Sequence, residues 1–189
     1  QSSIFSLLWR AYVRTGEVRF RNAVMVTLDR MCQGGIYDHV GGGFARYSTD
    51  AVWLVPHFEK MLYDNALLAR LYLHTHLITG KPLHRRIVEE TLDYVLREMT
   101  DSSGGFYSAQ DADSEGVEGK FFVWTPDEIR AVLGDADSGV FSSYYGVTPN
   151  GNFEGENILN IRQDPEDFAE AHDLTQEQLD EIISRSSKA

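Results

Sequence analysis

The chain has almost no cysteine and no long apolar run. Cys32 is the single cysteine among 189 residues, which excludes a disulfide within the chain and a CxxC redox centre. No apolar run reaches the roughly 18 residues that a membrane-spanning helix needs, and no charged-then-apolar leader is visible. We therefore expect a cytoplasmic protein in which Cys32 is a small buried side chain on a helix.

Basic residues are also scarce, above all in the second half. Residues 1–100 carry 12 basic and 10 acidic side chains, whereas residues 101–189 carry 5 and 19, and the net charge is −12. An excess of negative charge disfavours contact with phosphate backbones and anionic headgroups. We expect neither nucleic acid nor a membrane as a partner.

The apolar pattern of the first half predicts two pairs of helices. In each pair the first helix is apolar on every side and the second is apolar on one side, which is typical of an inner and an outer layer. A Gly-Gly pair follows each helix pair, and the two Gly-Gly pairs lie 70 residues apart. The helices are predicted at residues 2–13, 17–32, 58–79 and 83–99. Repeated helix pairs must stack on their neighbours to bury their apolar faces. The sequence thus predicts an all-α fold, a partial (α/α) toroid with short β-hairpins in its loops; a superhelical solenoid of the TPR kind is the alternative.

The second half contains shorter elements separated by turns. Thr125-Pro126-Asp127-Glu128 is a capping box that starts a helix ending near residue 133, and another helix is predicted at 138–145. Further helix starts are predicted at Asp164 and Thr175. Short strands are predicted at 121–124, in a hairpin with 105–109, and at 158–161.

The charged groups of greatest interest lie around His57. Pro56 predicts that the helix starts at His57, so that His57, Lys60 and Asp64 share a face at i, i+3 and i+7. The positive end of the helix dipole then favours a neutral imidazole that acts as a base. The alternatives are a histidine that bonds its own helix end and an ordinary Lys60–Asp64 pair.

An acidic turn offers a second candidate site. Asp111 and Asp113 on an extended segment would place their carboxylates about 6–7 Å apart, near the lower limit for inverting glycoside hydrolysis. A calcium loop fails because its twelfth position is Phe122. A solvated turn is the alternative. No dinucleotide fingerprint is present at Gly41–Gly43, and no cofactor is predicted.

Several aromatic residues fall in or beside these loops, where their rings suit either a sugar or a packed core. They are Tyr37, Tyr47, Trp53, Tyr63, Tyr107 and Trp124.

Three motifs together resemble a known family. They are GGIYDHVGGGF at 34–44, WLVPHFEKMLYD at 53–64, and DADSEG at 111–116 continued by KFFVW at 120–124. They resemble the spermatogenesis-associated, thioredoxin-domain-containing family of bacteria and animals. The resemblance implies a six-hairpin α/α toroid, similar to those of N-acylglucosamine 2-epimerases and six-hairpin glycosidases. No thioredoxin-like domain is present, so residues 1–189 are interpreted as a single fragment of the toroid, holding about three hairpins, and the family's redox role does not carry over.

The function that the resemblance implies is carbohydrate processing. In an epimerase-like reaction His57 would abstract a proton, and Lys60 or Arg46 would hold the developing oxyanion. A hydrolase-like reaction with Asp111 and Asp113, and a non-catalytic toroid that binds sugar or protein, remain open. The exposed faces of a fragment would also allow pairing with another copy. The candidate catalytic residues are His57, Glu59, Lys60, Asp64, Asp111 and Asp113, and the candidate binding residues are Tyr37, Arg46, Tyr47, Trp53, Tyr63 and Trp124.

Overall fold

The computed structural model describes residues 2–188 and confirms the predicted all-α fold with short strand pairs. The helices are α1 (Ser2–Thr15), α2 (Val18–Gln33), α3 (Leu62–Thr79), α4 (Pro82–Glu98), α5 (Pro126–Tyr144), α6 (Pro165–Ala171) and α7 (Gln176–Ser186). None of the helices in this part of the chain is both long and apolar enough to cross a bilayer.

The first four helices form two adjacent hairpins. Helix α1 packs on α2, and α3 packs on α4. The first helix of each hairpin, α1 or α3, also contacts the first helix of the other. The buried Trp9 indole donates a hydrogen bond to Thr75 Oγ1 at 2.7 Å, which fixes α1 against α3. Tyr72 of α3 donates to the Leu28 carbonyl of α2 at 2.7 Å. The predicted pairing of helices is therefore confirmed.

Helix α3 differs from its prediction in its burial. Tyr63, Leu67 and Leu77 are 49%, 48% and 71% exposed, so the expectation of burial on every side is wrong for this chain. One side of α3 packs on α1 and α4, while the other side lacks a covering helix among residues 2–188. The apolar sequence of α3 thus leaves an uncovered apolar face.

The three later helices surround a second core. Its centre is formed by Phe141, Tyr144, Phe168 and Leu179, which come from α5, α6 and α7. The Thr125 capping box starts α5, as predicted. Within α5 the backbone leaves the helical region at Gly134, with φ 71° and ψ 177°, and so separates the two short helices that the sequence indicates.

Three antiparallel strand pairs lie in the loops. They are β1 (Tyr47–Ser48) with β2 (Pro56–His57), β3 (Lys60–Met61) with β4 (Ala109–Gln110), and β5 (Asp113–Ser114) with β6 (Val117–Glu118). The predicted hairpin of 105–109 with 121–124 is wrong, because β4 pairs with β3 instead. Residues 120–122 form a 3-10 turn, and the predicted strand at 158–161 is likewise not formed.

A glycine loop, residues 34–43, joins α2 to this region. A side chain at Gly34 or Gly35 would clash with the backbone carbonyls of Trp53 and Leu54, which cross directly over the loop. Asn65 of α3, completely buried, accepts from the Phe44 N–H at 2.7 Å and donates to the Phe44 carbonyl at 3.0 Å. These contacts hold the loop against the start of α3.

Cys32 lies on α2 and is buried, as expected. Its burial raises the pKa of the thiol to about 12, so the side chain stays protonated and packs as an apolar group.

Candidate functional site

His57 lies on strand β2, and the prediction that it starts a helix is wrong. Helix α3 begins at Leu62. The backbone between them is bonded to neighbouring loops: the Arg46 N–H donates to the Glu59 carbonyl at 2.8 Å, and the Leu62 N–H donates to the Ser108 carbonyl at 3.0 Å. Because these partners hold the segment extended, His57 does not lie at the start of a helix.

The extended backbone changes which side chains share a face. Successive residues of an extended segment point to opposite sides, and here Phe58 and Lys60 are buried while His57 and Glu59 are partly exposed. The predicted face of His57, Lys60 and Asp64 at i, i+3 and i+7 is therefore wrong. His57 shares its face with Glu59 instead.

Lys60 is fully engaged inside the protein. It is 2% exposed, and its ammonium group donates to Asp38 Oδ2 at 2.7 Å and to the Gly42 carbonyl at 2.8 Å. The ammonium nitrogen also lies 4.3 Å from the centre of the Tyr94 ring. Burial alone would raise the pKa of Asp38, but the attraction and hydrogen bond of Lys60 outweigh it and lower that pKa. Lys60 thus ties the glycine loop to the body of the protein.

His57 is held between two carboxylates. Its Nδ1 lies 2.8 Å from Glu118 Oε1, and its Nε2 lies 3.8 Å from Glu59 Oε2. The Tyr47 ring stacks on the imidazole with 5.1 Å between centres. A neutral imidazole that donates from Nδ1 to a carboxylate keeps the Nε2 lone pair free to take a proton. The observed contacts are compatible with a histidine oriented through Nδ1 by the Glu118 carboxylate.

Glu118 lies between the sequence motifs at 111–116 and 120–124 and belongs to neither. It lies on β6, in the acidic hairpin that follows β4, and the pairing of β4 with β3 accompanies its approach to His57. This pairing joins residues about 50 positions apart, and no local pattern in the sequence announces it. The acidic composition of the hairpin was the only available signal.

Arg46 connects this group to a neighbouring cleft. Its Nη1 donates to Glu59 Oε2 at 3.0 Å. Arg46, Tyr47, Trp53 and Asp64 together line a cleft of about 200 Å³ beside the first turns of α1 and α3. Burial raises the pKa of Asp64 above its ordinary value.

The position of Trp53 depends on Asp50, a residue that sequence analysis did not single out. The Asp50 carboxylate accepts hydrogen bonds from the backbone N–H groups of Val52, Leu54 and Val55. The resulting tight loop holds Trp53 at φ 66°, a left-handed conformation unusual for a bulky residue. Backbone strain of this kind is typical of segments at binding or catalytic sites.

Most of the remaining candidates lie apart from this group. Tyr37 is buried and donates its hydroxyl to Glu90, while Trp124 is partly buried and pairs its backbone with Asn157. Asp111 and Asp113 are exposed on the acidic hairpin, where Asp111 Oδ1 accepts from the Asp113 N–H at 3.0 Å. Tyr63, about half exposed on α3, is the exception: it lies near the Arg46 guanidinium and, after Glu59, contributes to raising the pKa of Arg46. Among residues 2–188, no group of histidine, cysteine and acidic side chains is arranged to hold a metal ion.

Comparison with known proteins supports the resemblance seen in the motifs. Over 88% of the present chain, the sequence is 36% identical to spermatogenesis-associated protein 20 of Mus musculus. Over 76% of the chain, it is 39% identical to the Homo sapiens protein of that name. It is 33% identical to a Caenorhabditis elegans protein over 86% of its length. The chain spans only 24%, 22% and 26% of these three relatives. No protein-family model matches the chain.

Proposed function

This chain is a relative of spermatogenesis-associated protein 20, and from that premise we propose that it carries a proton-transfer site for a carbohydrate. The reaction class is epimerase-like or isomerase-like abstraction of a proton next to a carbonyl or anomeric carbon. The observation that carries the proposal is the His57 ring, which contacts Glu118 through Nδ1 and is linked to Arg46 through the Glu59 carboxylate. The sugar class comes from the family resemblance, and the fold alone does not define the activity.

The residues take the following roles. Nε2 of His57 removes the proton, and Glu118 keeps the ring oriented and stabilises its charged form. The electron pair of the broken C–H bond moves into the carbonyl, and the Arg46 guanidinium stabilises the resulting oxyanion. In an epimerase the proton must return to the opposite face of the carbon. We assign that step to Asp64, which lines the same cleft as Arg46 and whose pKa burial raises.

Lys60 has no part in this mechanism, because its ammonium group is buried against Asp38. Of the two residues that the sequence offered for the oxyanion, Arg46 is the accessible one. The Tyr47 ring, half exposed and stacked on His57, offers a planar face to a sugar ring. The cleft of about 200 Å³ is smaller than the roughly 300–1,000 Å³ of most ligand pockets, so we propose that it takes a single sugar ring.

Deuterium exchange tests the proposal. The chain and the full-length Mus musculus relative are incubated with aldoses, ketoses and N-acylated amino sugars in D₂O, and the recovered sugars are examined by NMR for deuterium next to the carbonyl carbon. We expect incorporation, its loss in His57→Gln, and a reduction of about tenfold or more in Glu118→Gln, since orientation of the base is lost. Glu115→Gln, in the same hairpin but bonded to Lys120, is the matched control and should exchange normally.

Other outcomes would support other functions. Release of reducing ends that disappears in Asp113→Asn would favour the hydrolase, and melting shifts with sugars but no exchange would favour a binding domain. Absence of exchange from both proteins would contradict the epimerase proposal. We also propose a cytoplasmic location, which imaging of the tagged protein in cells would test.

A further inference from the structure

A second cleft, of about 370 Å³, lies between α1 and α3. Its lining includes basic side chains but no acidic ones. Arg10 and Arg14 are one turn apart on α1, and Arg70 and His74 are one turn apart on α3. Side chains at i and i+4 share a helix face, so two basic pairs face the same space. We call this the arginine cleft.

The charges of the arginine cleft are unpaired in a chain that is otherwise rich in acid. Acidic residues outnumber basic ones by 29 to 17. Within residues 2–188 most basic side chains form ion pairs, including Arg46, Lys60 and Lys81, whereas the three arginines of the cleft form none. Like charges at i, i+4 spacing on a helix repel each other. An anion bound between them would remove this repulsion.

The arginine cleft has a rigid floor. Trp9 lies beneath it, 3% exposed, and its indole N–H is bonded to Thr75 Oγ1 at 2.7 Å. This bond joins α1 to α3 and fixes the spacing between the two basic pairs. The two helix backbones therefore need no rearrangement when a ligand binds, and the ordering cost is confined to the exposed basic side chains.

The arginine cleft is separate from the candidate catalytic site. The cleft beside His57 is bordered by the first turns of α1 and α3, at Ser2, Phe5 and Asp64. The arginine cleft is lined by later residues of the same two helices, from Ser6 on α1 and from Arg70 on α3. No residue lines both clefts, so the two sites are distinct neighbours along one helix pair.

We propose that the arginine cleft binds a small soluble anion that carries two or more phosphate groups. Guanidinium groups bind phosphate oxygens in a bidentate manner, and three of them match the charge of a diphosphate better than that of a single carboxylate. The volume of about 370 Å³ lies in the range of small-molecule pockets. The proposal does not depend on the reaction assigned to His57.

Titration calorimetry with inorganic pyrophosphate tests the proposal on the 189-residue chain. We expect saturable binding at low salt that weakens at 0.5 M salt, because exposed charges are then screened. Arg10→Gln and Arg70→Gln should each weaken binding about tenfold or more, since each removes a charge-assisted contact. Arg21→Gln is the matched control, because Arg21 is exposed on α2, forms no ion pair within residues 2–188 and lies outside the cleft.

Two further measurements make the result decisive. Arg14→Lys keeps the charge but loses the bidentate geometry, so it should weaken pyrophosphate binding while the melting temperature of the free protein stays unchanged. Binding to phosphatidylcholine vesicles containing phosphatidic acid is measured in parallel. The proposal is overturned if pyrophosphate does not bind at low salt, if the cleft variants bind as tightly as Arg21→Gln, or if only the vesicles bind.

Discussion

Lys60 stabilises the fold through one buried ion pair. Its ammonium group is enclosed by Asp38, the Gly42 carbonyl and the Tyr94 ring. We expect Lys60→Met to lower the free energy of unfolding by about 1–3 kcal/mol, because the partly buried Asp38 carboxylate would lose its counter-charge and keep only the hydrogen bonds from the Val40 and Gly41 N–H groups. Urea denaturation measures the change. Lys120→Met, which breaks an exposed pair with Glu115, is the control and should have almost no effect.

The same ion pair makes a prediction about pH. The pKa of Asp38 in the folded protein lies below its ordinary value of 3.8, so the pair contributes stability above that value and loses it as the pH falls through the folded-state pKa. In Lys60→Met burial acts on Asp38 without the opposing ammonium, and its pKa rises. The difference in unfolding free energy between wild type and Lys60→Met should therefore be largest at neutral pH and shrink below pH 4. A difference that stays constant from pH 7 to pH 3 would contradict this account.

At the scale of elements, the glycine loop keeps its conformation only because the backbone of residues 53–54 can pass close to Gly34 and Gly35. The carbonyl of Leu54 and a methyl group of Ile158 occupy the space that a side chain at Gly35 would need. We expect Gly35→Ala to destabilise the protein by about 1–3 kcal/mol through overpacking, measured by thermal unfolding. Gly105→Ala is the matched control, since nothing lies near its added methyl group. Equal melting temperatures for the two variants would show that residues 53–54 do not pass this close to the loop.

The elements that could be predicted from the sequence are those fixed by local chemistry. The capping boxes at Thr125 and Thr175 satisfy helix N–H groups within four residues, and both helices start where these motifs predict. The segment 56–61 could not be predicted in this way. Its conformation is set by bonds to Arg46 and to residues 108–110, which the chain brings close only after folding. For the same reason the sequence indicated His57 and Arg46 as candidates but gave no sign of the Glu118 partner.

At the scale of the whole molecule, the fold leaves several apolar side chains of the two hairpins exposed to solvent. The structure shows two adjacent helical hairpins, α1–α2 and α3–α4, and we propose that they are part of a six-hairpin toroid. Leu77 of α3 and Leu96 of α4 are 71% and 64% exposed. Apolar surface of this kind is a site of association when contiguous patches exceed a few hundred Å².

We predict that the isolated 189-residue chain self-associates through these helices, because a second copy is the only protein available to cover them. Light scattering coupled to size-exclusion chromatography should show a mass that rises with concentration. The double variant Leu77→Lys/Leu96→Lys should remain monomeric under the same conditions, since charged groups at both positions oppose burial. Val132→Lys is the control: Val132 on α5 is also exposed, at 54%, but lies outside the two hairpins. A monomeric wild type would contradict the prediction, whereas association that persists in the double variant and is lost in Val132→Lys would assign the contact to a different surface.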